Sequence, residues 1–389
     1  MKSLFVQFRK SIAVNTRFLI KDKLEGIGLF TYESLRRIVC NHPEIDFYFL
    51  FDRAFDPQFI FANNVKPVVL FPQARHPLLW YWWFEISVKQ WLYKHKPNLF
   101  LSTDGYACLG TDVPQVLVMH DLAFEHFNNH VPALTLKYYR HFTPKFASKA
   151  VRVATVSEYS RNDIADKYKI DRSKIDVVYN GAKESYHPLN DEQKVAVRNK
   201  YADGCPYFIY VGSIHPRKNI RNLILAFAEF KRKTNSEHKL LLVGRLAWSF
   251  KKVEQTLSES GFANDIILMG HQPPEVLAHT LAAAECMVYV SLFEGFGIPI
   301  IEAMSCGVPV ITSNTTSMPE AAGNAALLVT PTNVHEIASA MEHIAGSSNL
   351  RNQLIAEGTV QTKIFTWDNT ANLLWRCCEQ ALAKSSVGK

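Results

Sequence analysis

Short β-rich runs alternate with amphipathic helical stretches along nearly the whole chain, and this alternation limits the fold more than any other feature. In the first half, helical patterns such as Phe30–Val39 and Trp83–Tyr93 separate several of the runs. The predicted strands there are Ser11–Asn15, Asp46–Phe51, Val68–Phe71, Leu99–Ser102, Val116–His120, Arg152–Val156 and Lys174–Tyr179. Strands that alternate with helices usually form a parallel sheet covered on both faces. The pattern therefore predicts an α/β fold.

The same pattern restarts after a polar stretch that follows Asn180-Gly181 and includes a short predicted helix, Glu192–Tyr201. The predicted strands of the second half are Tyr207–Val211, Lys239–Val243, Ile266–Met269, Cys286–Val290, Val308–Thr312 and Ala326–Val329, with helices at Asn219–Lys231 and Lys252–Ser260. Two such halves predict two doubly wound domains, 1–190 and 191–366. Ligands of these sheets bind at the carboxyl ends of the strands, so we expect the site in the cleft between the domains.

Composition narrows the class of protein. The chain has 389 residues, 48% hydrophobic and 20% charged, with a formal net charge of +7. This mild basicity fits an anionic ligand or an anionic membrane surface, and equally an ordinary solvated surface. Nucleic acid is disfavoured, because the chain has no arginine-rich tail and no zinc-ligand spacing. Seven scattered cysteines, no signal-peptide pattern and no long apolar run predict a cytoplasmic protein, with peripheral attachment to the inner face of the membrane as the alternative.

The segment from Ser291 to Ile311 carries the strongest chemical signal. Glu294 lies in a loop with Gly295, Phe296 and Gly297, and Glu302 lies on the helix that starts near Ile298. The start of a helix carries free N–H groups and a partial positive charge, which suit a phosphate. Apolar residues surround Glu302, and a carboxylate in so apolar a helix needs a partner. Two acids on either side of a phosphate site predict recognition of hydroxyl groups, as in a nucleotide-diphosphate sugar.

A basic loop follows the first strand of the second half. The strand ends in Gly212-Ser213, and Arg217 and Lys218 follow just before a predicted helix. Glycine lets a ligand approach the backbone, and the two cations could neutralise a diphosphate. The alternative is a solvated loop with exposed charges.

Two weaker signals lie in the first half. The predicted strand Val116–His120 delivers His120 next to Asp121, where it could bind a sugar hydroxyl, although a histidine at a strand end is usually structural. Gly26 and Gly28 lie in a loop before the first helix, which is either a plain turn or the edge of a binding site. This loop lacks the G-x-G-x-x-G spacing, so a nicotinamide cofactor is disfavoured.

Missing motifs restrict the chemistry further. The chain has no Asp-x-Asp, no P-loop, no G-x-S-x-G and no H-E-x-x-H, so neither a metal site nor a cofactor is predicted. Without a metal, the charge on a leaving diphosphate must be met by Arg217, Lys218 and the backbone at the helix start.

Together these segments resemble the retaining GT-B glycosyltransferases of family 4. Glu294 and Glu302 match the family's E-x7-E motif, and the likeness extends through Ser317–Gly323, the Gly212 loop, Val156–Ser160 and the Gly26 loop. The resemblance implies two Rossmann-like domains facing across a cleft, with the C-terminal helix (predicted at Trp367–Ala383) crossing back so that 367–389 joins the first domain. Many members have Gly-Arg where this chain has Gly212-Ser213, and Arg217 is the expected substitute for the missing arginine.

The resemblance also implies roles. Lys218 would bind the donor phosphates, Glu302 the ribose, Glu294 the donor sugar and His120 the transferred sugar, while Gly26 and Gly28 would border the acceptor side. The implied reaction is transfer of a sugar, with retention and without metal, to a glycan or lipid-linked glycan. GDP-mannose is the first expected donor and a UDP-sugar the second. Two alternatives remain: a nucleotide-sugar epimerase on the same fold, and a binding protein without catalysis.

Overall fold

The computed structural model describes residues 9–245 and 250–387, so the outermost ends of the predicted domain ranges lie outside the described residues. It divides into two compact units, Met1–Asn180 with Trp367–Lys389, and Gly181–Thr366. The chain passes from the first unit to the second between Asn180 and Gly181, ten residues earlier than the predicted domain boundary after residue 190. The connecting segment is attached to the second unit, where the N–H of Ala182 donates to the carbonyl of Phe365 at 3.2 Å and Tyr186 is buried.

The first unit is built on a parallel sheet of seven strands in the order β3-β2-β1-β4-β5-β6-β7. Its strands are β1 Ser11–Asn15, β2 Asp46–Phe51, β3 Val65–Val69, β4 Leu99–Ser102, β5 Gln115–Met119, β6 Arg152–Thr155 and β7 Ile175–Val177. Its helices up to this point are α1 Ile27–Asn41, α2 Pro77–Trp82, α3 Lys89–His95, α4 Ala123–His126, α5 Ala133–Lys149 and α6 Glu158–Tyr168. The central strands are buried along their length, as expected for a sheet covered on both faces.

The second unit has a parallel sheet of six strands in the order β10-β9-β8-β11-β12-β13. Its strands are β8 Tyr207–Val211, β9 Lys239–Val243, β10 Ile266–Gly270, β11 Cys286–Tyr289, β12 Val310–Ser313 and β13 Ala326–Val329. Its helices are α7 Asp191–Ala202, α8 Ile220–Thr234, α9 Phe250–Glu259, α10 Pro274–Ala282, α11 Ile298–Ser305, α12 Met318–Ala322, α13 Val334–Gly346 and α14 Ser348–Gln361. In each sheet the strand order reverses once, between β1 and β4 and between β8 and β11, and such switch points are where ligands bind.

The last helix, α15 Trp367–Val387, packs in the first unit, as predicted. The ring of Trp367 lies 6.4 Å from that of Phe30 on α1, and the Thr370 hydroxyl donates to the carbonyl of Tyr179 at 2.6 Å. These contacts agree with the predicted packing role of the tail.

Many predicted elements differ from the observed ones in their bounds, and two of these differences have a structural reason. Strand β3 begins at Val65 and runs through Pro67, because it is an edge strand, where a missing N–H costs little. The helix predicted at Trp83–Tyr93 is part of a longer helical run that begins at Pro77. The side chain of His76 caps this run, and Trp83–Val88 forms a π-helical segment within it.

Candidate functional site

The loop after β8 is shaped by a close approach of two glycines. Gly212 and Gly244, at the ends of β8 and β9, have φ of +146° and +148°. A Cβ on Gly244 would lie 1.9 Å from the carbonyl oxygen of Gly212, so no side chain fits there. Ser213 follows in an exposed position, and its carbonyl accepts a hydrogen bond from Tyr210 at 3.1 Å. The first part of the loop is therefore held against the sheet, ahead of the two cations Arg217 and Lys218.

A single turn of 3₁₀-helix, Pro216–Lys218, then presents the two cations. The ring of His215 accepts a hydrogen bond from the N–H of Arg217 at 3.3 Å and so caps the turn. Asn219 follows with φ of +61°, and its side chain does not cap α8. Its amide instead donates to the carbonyl oxygens of Val290 and Pro331, at 3.0 and 2.6 Å, which ties the basic loop to the end of β11.

Glu294 lies beside both cations. Nη1 of Arg217 lies 3.0 Å from one carboxylate oxygen, and Nζ of Lys218 lies 2.5 Å from the other. The hydroxyl of Tyr289, the last residue of β11, donates to that second oxygen at 2.9 Å. Burial raises the pKa of Glu294, but the attraction of Lys218 and Arg217 outweighs it and lowers the pKa to about 2. The carboxylate is therefore ionised, and the predicted residues 217, 218 and 294 form one cluster at the switch point of the second sheet.

The segment between Glu294 and α11 provides an open helix start. Gly297 has φ of +103° and is the N-cap of α11, which begins at Ile298, and it has no side chain with which to cap the helix. The Ser317 hydroxyl donates to the carbonyl of Glu294 at 2.8 Å, and the buried ring of Phe296 packs edge-on against Phe365 at 5.2 Å. The loop is thus held rigidly while the helix dipole favours an anion at its start.

Glu302 lies in α11, where it is only 7% exposed. Burial raises its pKa to about 7, although the ammonium group of Lys183 and the hydroxyl of Tyr186 act in the opposite direction. A carboxylate in so apolar a helix was expected to have a partner, and Lys183 and Tyr186 of the connecting segment provide it. The spacing of the sequence did not indicate these two residues. Near neutral pH this carboxyl can exist in either protonation state.

In the first unit, His120 follows β5. Its Nε2 lies 3.0 Å from the carbonyl oxygen of Thr103, and since a carbonyl only accepts, Nε2 carries the proton. Burial lowers the pKa of His120, with Thr103 and Asp121 acting in the opposite direction. The ring also packs edge-on against Phe30 of α1 at 5.0 Å. A neutral imidazole with an unprotonated Nδ1 can accept a hydrogen bond from a hydroxyl group.

Gly26 precedes α1, as predicted, whereas Gly28 is the second residue of this helix and not part of the predicted loop. Gly26 has φ of +49° and forms the N-cap, where an added Cβ would meet nothing within 4 Å. Gly28 is packed tightly, since a Cβ there would lie 2.9 Å from the carbonyl oxygen of Phe18. Gly26 thus gives the turn its conformation, and Gly28 permits the close packing.

A polar cluster at the switch point of the first sheet was missed in the sequence. Asn15 ends β1 and donates to the hydroxyl of Ser102, which ends β4, at 3.0 Å. Ser102 donates to Asp104 at 3.2 Å, and Asp104 forms an ion pair with Arg17, which is buried over the ring of Tyr106 at 4.1 Å. The sequence does show polar residues, Asn15 and Ser102, at the ends of two predicted strands. It does not show that these two strands are neighbours in the sheet, which is what brings the residues together.

Among residues 9–245 and 250–387, no group of three or more His, Cys, Asp or Glu side chains is arranged to hold a metal ion. Within the same ranges, the helices are all too short or too polar to cross a membrane.

Known proteins resemble this chain in sequence and fold. The family model for "Glycosyl transferases group 1" matches residues 191–361, and that for "Glycosyltransferase Family 4" matches residues 26–185. O-antigen chain mannosyltransferase B of Escherichia coli is 31% identical over 288 residues, which span 74% of each chain. O-antigen chain mannosyltransferase RfbU of Salmonella typhimurium is 28% identical over 69% of this chain and 71% of that relative. Among solved structures, a sucrose-phosphate synthase from Thermosynechococcus elongatus superposes with a TM-score of 0.77 at 19% identity, covering 97% of this chain and 100% of that chain.

Proposed function

The chain belongs to the family 4 glycosyltransferases of the GT-B fold, and from this premise we propose that it transfers mannose from GDP-mannose to a glycan or lipid-linked glycan acceptor. The reaction proceeds with retention, gives an α-glycosidic bond and needs no metal. The observation that carries the proposal is the cluster of Arg217, Lys218 and Glu294 at the switch point of the second sheet, close in sequence to the uncapped start of α11.

The cluster suits a leaving nucleoside diphosphate. Lys218 and Arg217 supply fixed positive charge, and the backbone at Gly297 and Ile298 adds the helix dipole, so charge that develops on the leaving oxygen is stabilised in place. Ser213 occupies the position where many relatives carry an arginine, and Arg217 takes over that role in this proposal. The leaving oxygen then accepts the proton of the acceptor hydroxyl on the same face of the sugar.

Glu294 and Glu302 bind different parts of the donor in this proposal. Glu294 is ionised and held by the two cations, so its carboxylate is placed to accept hydrogen bonds from donor-sugar hydroxyls rather than to attack carbon. Glu302, supported by Lys183 and Tyr186, accepts the hydrogen bonds of the ribose hydroxyls. His120, with Nδ1 as its acceptor, contacts the transferred sugar, while Gly26 and Gly28 border the acceptor. Mannose is favoured because two relatives are named as mannosyltransferases. We place the reaction in the cytoplasm.

The first experiment identifies the donor. Thermal shifts are measured with GDP, UDP and ADP and then with their sugars, and stabilisation by GDP and GDP-mannose is expected. Stabilisation by a UDP-sugar alone would change the assigned donor from GDP-mannose to that sugar nucleotide, but the protein would still be assigned as a glycosyltransferase. Stabilisation by a nicotinamide cofactor alone would overturn the proposal.

The second experiment tests the cluster. Lys218→Ala is expected to lower the rate of GDP release in the presence of acceptor by about 10²–10³-fold, since it removes charge that acts on the leaving group. The control is Lys251→Ala, which removes an exposed lysine of the same unit and should leave the rate unchanged. Near-normal turnover in both Lys218→Ala and Glu294→Ala would refute the assignment. Conversion of the donor without acceptor would identify an epimerase, and donor binding without turnover a binding protein.

A further inference from the structure

The helical run from Pro77 to His95 carries apolar residues on both its inner and its outer side. A helix of that composition normally lies inside a protein, but the outer side of this one is exposed. Its inner side carries Trp83, Phe84 and Val88, which are buried. Its outer side carries Leu78 and Trp82, which are 70% and 53% exposed. A helix of this kind needs a partner for its outer side.

The exposed residues form one patch. Leu78, Tyr81 and Trp82 are spaced by three and four residues, so they share one side of α2. We call these three residues the aromatic patch. Patches of this size on a protein surface usually mark an interaction site.

The stretch of sequence that contains the aromatic patch is rich in basic residues. Glu85 is the only acid between residues 57 and 102, and both of its oxygens already accept backbone hydrogen bonds, from Leu109 at 2.6 Å and Gly110 at 2.9 Å. Five basic residues lie in the same stretch of sequence, namely Lys66, Arg75, Lys89, Lys94 and Lys96, and one of them, Lys66, is paired with Asp46 at 2.7 Å.

Helix α5 extends this basic region. Its sequence contains no Asp or Glu but includes Lys137, Arg140, Lys145 and Lys149, of which Arg140 is paired with Glu125 of α4 at 3.4 Å. The ring of Phe142 on α5 lies 5.8 Å from that of Tyr81, and Nζ of Lys145 lies 5.6 Å from the centre of the Phe142 ring. Tyr81 of the aromatic patch and Lys145 of α5 therefore lie on one surface.

We propose that this surface docks the first unit on an anionic lipid bilayer. Tyr81, Trp82 and Leu78 would enter the headgroup layer, where aromatic side chains are favoured, and the surrounding lysines would face the lipid phosphates. A second copy of the chain is disfavoured because it would bring an equally basic surface. The aromatic patch exposes about 400 Å², well under the roughly 800 Å² per partner of a stable protein interface. The inference does not depend on the identity of the donor.

The test is co-sedimentation of the full chain with vesicles of phosphatidylcholine mixed with phosphatidylglycerol, compared with vesicles of phosphatidylcholine alone. The wild type is expected to bind the anionic vesicles and to bind them less at about 1 M salt, where the Debye length is only ~3 Å. The double variant Leu78→Ser with Trp82→Ser is expected to lower the partition coefficient by about tenfold or more. Because both side chains are exposed, its thermal unfolding midpoint should match the wild type.

The matched control is Val195→Ser with Val360→Ser, which removes two apolar side chains that are 56% and 66% exposed in the second unit. It should bind vesicles like the wild type. Lys137→Glu with Lys145→Glu should weaken binding to the anionic vesicles while leaving the aromatic patch intact. Equal binding by the Leu78/Trp82 variant and the wild type, or no binding by the wild type, would overturn the proposal. A dimer in gel filtration that only this variant abolishes would also overturn it, in favour of a second copy.

Discussion

Replacing Glu302 by glutamine should make the protein more stable at alkaline pH. The ordinary pKa of the carboxyl is 4.5, and burial in α11 raises it to about 7. The folded state therefore holds the proton more tightly than the unfolded state. The contribution of Glu302 to stability is full below pH 4.5 and is lost as the pH rises through about 7. Glutamine resembles the protonated carboxyl and does not titrate, so the variant avoids this loss.

The size of the effect follows from the two pKa values. The change from 4.5 to about 7, at ~1.4 kcal/mol for each tenfold change in proton affinity, corresponds to about 3 kcal/mol. The free energy of unfolding of Glu302→Gln relative to wild type should thus rise by about 3 kcal/mol between pH 4 and pH 9. For a unit of this size that amounts to roughly 6–12 °C in the unfolding midpoint.

Circular dichroism melts of Glu302→Gln and wild type at pH 4, 7 and 9 measure this difference. The control is Glu254→Gln, which replaces an exposed glutamate of the same unit and should shift the midpoint by the same small amount at each pH. A difference for Glu302→Gln that stays constant across the range, or falls with rising pH, would refute the reasoning. If ribose hydroxyls bind Glu302, donor affinity should increase with pH through 7 in the wild type only.

Three further outcomes are expected. Glu294→Gln should cost about 3 kcal/mol at pH 7, and the difference in urea unfolding should shrink as the pH falls from 4.5 towards 2, because cations hold the pKa of Glu294 at about 2. Gly244→Ala should lower the unfolding midpoint more than Gly261→Ala, since both glycines have positive φ but only Gly244 would place a Cβ against backbone, and equal shifts would contradict this. His120→Ala should reduce turnover without changing the shape of the pH profile, since the imidazole is already neutral; loss of an ionisation near pH 6–7 would contradict it.

Local patterns predicted the elements well where burial and propensity agree. The strands Ser11–Asn15, Tyr207–Val211 and Lys239–Val243 have the predicted bounds, because apolar runs with β-branched or aromatic residues end there at polar or glycine residues. The helix at Trp83–Tyr93 was predicted, but its first part, Pro77–Trp82, was missed because the exposed side of this part is as apolar as its buried side, so no helical periodicity marks it. The ion pair of Arg17 and Asp104 was missed because it depends on β1 lying next to β4, a property of strand order and not of either segment.

Glu294 and Glu302 show what spacing predicts and what it leaves open. Both side chains lie in the predicted loop and helix, and both are 7% exposed, so burial alone does not distinguish them. Their pKa values nevertheless lie at about 2 and about 7, because Arg217 and Lys218 face the first while a single lysine, Lys183, acts on the second. Those partners come from distant parts of the chain. Only Glu302 can therefore change its protonation near neutral pH, whereas Glu294 remains a fixed charge among the cations that we assign to the leaving diphosphate.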